Sequence, residues 1–154
     1  AMCGSYKKEI TVGIHFWMTH SRTGSSSIAA DTFKIAMFTS SRTDANEDLT
    51  GYTTANEVSG TGYSAGGETL QNQSVTGGTG ASTAYVDFTT NPQWTSASFT
   101  ANGAMIYNTT TDGGSGTTNS VCILAFGSDF TATNGTFTIE FPAAGASTAI
   151  IQLA

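Results

Sequence analysis

Charge is what this sequence has least of. Only 10% of its 154 residues are Asp, Glu, Lys or Arg, against about 25% in an ordinary soluble domain. The five basic residues, Lys7, Lys8, Arg22, Lys34 and Arg42, all fall in the first third, and only Lys7 and Lys8 are adjacent. Phosphate recognition needs clustered Lys and Arg, so a net charge of −6 argues against a nucleic-acid partner. Cysteine is nearly absent as well. Cys3 and Cys122 are too few for a disulfide framework, and a pairing between them stays open. No apolar run approaches the ~18 residues of a membrane span, and no basic start leads into an apolar stretch, so neither a membrane helix nor a signal peptide is expected.

What is present suits a packed β domain. Hydrophobic residues make up 38% of the chain, including nine Phe, five Tyr and two Trp. A single domain of this length buries roughly two-thirds of the surface its unfolded form exposes. The polar remainder is mostly Thr, Ser, Gly and Asn. Such a surface can be covered by a neighbour at small desolvation penalty, because buried unpaired charge is what makes association expensive.

Along the chain, residues 1–30 read as an N-terminal helix or arm with a loop, and residues 31–154 as a β domain. Tyr6, Ile10, Ile14 and Trp17 recur at spacings of three and four, and Ser5 can cap the helix they imply. The alternation of Ile10, Val12 and Ile14 fits a strand equally well. Thr32 to Thr39 places Phe33, Ile35 and Met37 on one face of a strand. Ser40 to Thr50 reads as a polar loop, Tyr52 to Val58 as a helical turn or edge segment, and Gly60 to Gly67 as a glycine-rich turn. Further strands are expected at Glu68 to Val75, Thr83 to Thr89, Trp94 to Thr100, Ala104 to Asn108, Val121 to Phe126 and Ala149 to Leu153. Asn102-Gly103 and Asn134-Gly135 are hairpin signals, since both residue types tolerate positive φ. Val121 to Phe126, apolar on both sides, is expected to be central. Phe137, Ile139 and Phe141 point inward, and Thr136, Thr138 and Glu140 outward. Short strands separated by such turns predict an all-β, antiparallel, jelly-roll-like β-sandwich with one short N-terminal helix.

Few constellations carry chemistry. His15 and His20, spaced by five, fall on different helix faces, so even with Cys3 nearby they do not form the i, i+4 pair of a zinc helix. No serine lies in a G-x-S-x-G elbow. A carboxylate pair such as Asp87 and Glu140 would need the fold to bring the two together, and Glu140 follows an outward pattern. Gly60 to Ala65 matches a relaxed nucleotide fingerprint without the preceding strand or following helix, so a turn needing unusual backbone angles is the better reading. Asp44, Glu47 and Asp48 lack the alternate-oxygen loop of an EF-hand. No catalytic residue, metal or cofactor is therefore expected. Trp94, Tyr63 and Tyr107 could stack on sugar rings if exposed together; core packing is the competing reading, favoured for Trp94. Phe16-Trp17-Met18 cannot all face one core. With Tyr6, Ile10 and Ile14 this triplet is the candidate anchor or subunit interface, and packing on the chain's own β domain is the alternative.

Several runs carry a resemblance. They are Asp31-Thr32-Phe33-Lys34-Ile35-Ala36-Met37-Phe38-Thr39-Ser40, Ala55-Asn56-Glu57-Val58-Ser59-Gly60-Thr61-Gly62-Tyr63-Ser64-Ala65-Gly66-Gly67, Trp94 to Ala101, Gly103 to Asn108, and Leu124 to Pro142. In this order they resemble a small virion structural protein of tailed bacteriophages, of the head decoration or cement type. Asn56 to Gly67 is the most specific part, and Ser21 to Ala30 looks inserted relative to the family. The resemblance implies a non-catalytic component of the phage particle surface whose partners are the major capsid protein and further copies of itself, for which a trimer is expected. The alternative is a tail-fibre or surface recognition module that binds host glycan.

Overall fold

The computed structural model describes residues 32–41, 51–71, 73–76, 84–109, 119–145 and 147–153. The expected N-terminal helix, the anchor residues Tyr6, Ile10, Ile14, Phe16, Trp17 and Met18, both histidines, Cys3 and the acidic group at Asp44, Glu47 and Asp48 lie outside them.

Seven strands and no helix make up the described residues: β1 (Phe33–Phe38), β2 (Glu68–Thr69), β3 (Gln73–Thr76), β4 (Ala84–Phe88), β5 (Gln93–Asn108), β6 (Asn119–Thr138) and β7 (Ile151–Leu153). They form a four-stranded sheet in the order β2-β1-β5-β6 and a three-stranded sheet in the order β3-β4-β7. Every pairing is antiparallel. The described part of the fold is all-β, as the turn chemistry predicts.

Period-two alternation sets the main core. Phe33, Ile35 and Met37 of β1 lie opposite Asn108, Ile106 and Ala104 of β5. Their side chains join Trp94, Phe99, Val121 and Cys122 in one buried cluster. Val86 and Phe88 of β4 belong to the same cluster, and the Phe88 ring meets Phe33 edge-on at 5.5 Å. The other face of β1 is buried as well: Ala36 and Phe38 cluster with Met105, Tyr107 and Ile123. One-sided alternation therefore understates β1. Cys122 is a buried thiol within the main core.

Two expected hairpins are absent. Asn102-Gly103 lies inside the continuous strand β5, and Asn134-Gly135 inside β6. The positive-φ tolerance that suggested a tight turn serves a β-bulge at Asn134, whereas Asn102 and Gly103 keep negative φ within β5. Pairing shifts register between Ala101 and Gly103, and again between Ala97 and Phe99, where Thr133 and Asn134 of β6 oppose Ser98 alone. Asn134 takes φ 47° there, and its N–H donates to Ser98 Oγ at 2.8 Å. The stretch expected from Glu68 to Val75 divides into β2 and β3, which belong to different sheets. Val121 to Phe126 lies within β6, the outermost strand of the four-stranded sheet among the described residues, and Val121, Cys122 and Ile123 are buried.

Candidate functional site

The densest polar arrangement among the described residues sits on the edge of β1 away from β5. Two stretches run antiparallel along that edge. At one end Leu70 N–H donates to Phe33 O at 2.8 Å, beyond the β2 pairing. At the other, Val58 N–H donates to Met37 O, and Thr39 N–H donates to Asn56 O, both at 2.9 Å. Together they form one edge strand interrupted by an excursion over residues 59–67. The interruption deprives Met37 N–H of a backbone acceptor, and the Tyr63 hydroxyl fills the vacancy at 2.9 Å.

Glu57 holds the excursion shut. Its Oε1 accepts from the Tyr63 hydroxyl and from Gly66 N–H, each at 2.7 Å, and its Oε2 accepts from the Tyr52 hydroxyl at 2.6 Å. Tyr107 of β5 donates to Gly66 O at 2.8 Å, and its ring stacks on Tyr52 at 4.6 Å. The loop lies so flat on β1 that a Cβ at Gly67, where φ is 69°, would collide with the Ile35 carbonyl. Its far side pairs Thr61 with Ser98 of β5. Gly62, Gly66 and Gly67 all have positive φ, so the glycine-rich turn reading holds for Gly60 to Gly67.

This geometry limits the chemistry. Burial, then the Glu57 carboxylate, push the Tyr107 phenol up to about 12. The same two influences raise Tyr52 and Tyr63 further. All three phenols stay neutral at physiological pH: Tyr52 and Tyr63 donate to the Glu57 carboxylate, which also accepts from Gly66 N–H, and Tyr107 donates to Gly66 O. The arrangement presents Ser59, Thr61, Ser64 and Ala65 on a fixed, exposed loop. Glu57 is the residue that sequence reasoning missed. The available signal was a lone acid in a Ser/Gly loop with tyrosines five residues before and six after it.

The candidate sugar platform does not form. Trp94 is 1% exposed and Tyr107 3% exposed, so neither offers a face to a ligand. Half-buried Tyr63 does meet Trp94, stacked at 6.2 Å, but inside the aromatic core with Phe99 and Phe137. Their contact is packing, as the core reading of Trp94 expects.

Asp87 is fully buried, whereas Glu140 is exposed. Asp87 Oδ1 accepts from Phe88 N–H at 2.7 Å, and Oδ2 has no partner. Burial raises its pKa, opposed by the Phe88 N–H. Among the described residues no three His, Cys, Asp or Glu side chains converge to hold a metal ion. Comparisons with protein-family models, curated proteins and solved structures each returned no match.

Proposed function

We propose that this chain is a structural protein of a tailed-phage particle, a decoration or cement protein that binds the head shell and stiffens it. The two sheets are read as facing layers of a jelly-roll-like sandwich, a reading supported by the Phe33–Phe88 contact. The observation that carries the proposal is a stiff β body with little exposed charge. Among the described residues the ionisable side chains outside the buried interior are few: Lys34, Glu68, Asp129 and Glu140 stand among exposed Thr, Ser and Asn. Glu57 is engaged by its tyrosines and Asp87 is enclosed. Such a surface works by shape and contact area, and several copies on one shell add avidity to weak single contacts. The resemblance of Asn56 to Gly67 to phage virion proteins points the same way, and that run is held against β1 through Val58, Tyr63 and Gly67.

In this reading the N-terminal segment Tyr6 to Met18 contributes the shell anchor or the subunit interface. The test is co-sedimentation with expanded shells of a tailed phage that lack a decoration protein. The full chain is expected to saturate its sites. A chain lacking residues 1–18 is expected to keep its β circular-dichroism spectrum and lose binding. Full occupancy by the truncated chain would overturn the anchor, and no binding by the full chain would overturn the shell role.

A further inference from the structure

Strand β6 has β5 on one side and, among the described residues, no strand on the other. Unpaired strand edges pair with other chains unless something blunts them. On this edge a hollow of about 230 Å³ opens between two triplets, Phe130-Thr131-Ala132 and Thr136-Phe137-Thr138. Phe130 is 51% exposed, the one large hydrophobic side chain so exposed among the described residues. Among the described residues its ring contact is with Phe126, edge-on at 6.0 Å.

We infer that this edge is a self-association surface, and that its occupant is β6 of a second copy, antiparallel and related by a two-fold axis. Three observations select that occupant. The first is charge. Every copy carries −6, so a contact between copies must avoid ionisable groups. From Phe130 to Ile139 there is none, and neighbouring Asp129 is already hydrogen-bonded to Asn102 Nδ2 at 2.7 Å.

The second is shape. The extra residue at Thr133 and Asn134 shifts the side-chain alternation of β6 by one between the two triplets of the hollow. A regular strand does not match that shift, but an identical strand turned about a two-fold through the bulge carries the same shift at the same place.

The third is register. A two-fold contact requires residue i to meet j and j to meet i. An axis between Thr133 and Asn134 sets Phe130 opposite Phe137 of the second copy, and Thr131 opposite Thr136 of the second copy. Each pair lies on a single face. Phe130 and Phe137 oppose the buried Ala101 and Trp94 of β5, whereas Thr131 opposes exposed Thr100, and Thr136 is exposed. Aromatic pairs and Thr pairs are favourable cross-strand neighbours. The inference rests on the shell-binding reading for its purpose and gives that assembly a two-fold building block in place of the expected trimer.

The test uses the full chain. Sedimentation equilibrium on the wild type is expected to give two copies. Phe130→Asp, at a half-exposed position, is expected to halve the mass and leave the circular-dichroism spectrum unchanged. If that variant fails to fold, a second experiment decides. Mixing Thr131→Cys with Thr136→Cys chains and oxidising them is expected to link position 131 of one copy to position 136 of the other. Peptide mapping separates this link from any through Cys3. A monomeric wild type, a Phe130→Asp chain that keeps its mass, a three-copy particle insensitive to Phe130→Asp, or absence of the 131–136 link would each overturn the inference. A dimer with the expected link that ignores phage shells would leave the inference standing and remove the shell role.

Discussion

Tyr63 does with a side chain what a carbonyl does elsewhere along the edge of β1: its hydroxyl accepts from Met37 N–H and passes its own proton toward Glu57. Two polar groups depend on one oxygen. Tyr63→Phe keeps the ring contacts with Trp94 and Phe99 but leaves Met37 N–H without that acceptor, and leaves Glu57 Oε1 with Gly66 N–H alone. An unsatisfied buried donor destabilises by about 1–3 kcal/mol. Tyr52→Phe removes a single bond at a half-buried position, so a loss nearer about 1 kcal/mol is expected. Urea denaturation of the two variants beside the wild type checks the order. Equal losses would mean that the hydroxyl at Tyr63 does not bridge the interrupted edge. This staple was only half legible in the sequence. Gly60 to Gly67 announced unusual backbone angles, but nothing local tells a reader that a tyrosine hydroxyl stands in for a backbone carbonyl toward the N–H of Met37, 26 residues away.

At the scale of elements, glycine positions divide by what surrounds them. Gly67 combines φ 69° with an approach to Ile35 so close that no Cβ fits, because the excursion must return flat onto β1 to start β2. Gly127, at φ 80° within β6, faces open space. Gly67→Ala is expected to lose about 2–6 kcal/mol from strain plus collision. Gly127→Ala loses only the backbone term of about 1–2 kcal/mol. Thermal melts of the two variants check this, and similar losses would mean that the loop does not lie against β1 as described. The same distinction explains why strand existence was readable and strand continuity was not. Phe33, Ile35 and Met37 declare β1 by alternation, and Val86 with Phe88 declare β4. Asn102-Gly103 and Asn134-Gly135 mark positive-φ tolerance, which hairpins and bulges both use. Which of the two forms depends on whether residues before and after the pair find partners on the same neighbouring strand, and that is a tertiary matter. Likewise, periodicity revealed the inward face of Phe137, Ile139 and Phe141 but could not reveal that, among the described residues, no strand pairs with the outer edge of β6.

For the whole molecule, pH sorts the buried titratable groups, because each raised pKa makes the folded chain hold a proton that the unfolded chain gives up. Stability then falls as pH rises from the unfolded pKa to the folded one, and is level on either side of that window. For Tyr52, Tyr63 and Tyr107 the window opens at about 10, far above physiological pH. For Asp87 the window opens on the acid side, at its ordinary carboxyl value, because burial raises it in the fold. Its carboxyl, raised from 3.8 by burial, stays protonated in the fold after the unfolded chain has ionised. The chain is therefore expected to be more stable near pH 4 than at pH 7. Relief of self-repulsion contributes to the same trend, since the net charge of −6 shrinks toward a pI of about 4.5. Asp87→Asn separates the two contributions. The amide oxygen can still accept from Phe88 N–H, the burial is unchanged, and the rest of the charge titrates as before. Any penalty for an unpaired amide N–H₂ is the same at both pH values, so it cancels from the comparison. Denaturation midpoints at pH 4 and pH 7 are expected to shift in favour of the Asn variant as pH rises. A gap between the two proteins that does not change with pH would mean that the enclosed oxygen of Asp87 does find a partner, and that the acid-side slope comes from surface charge alone.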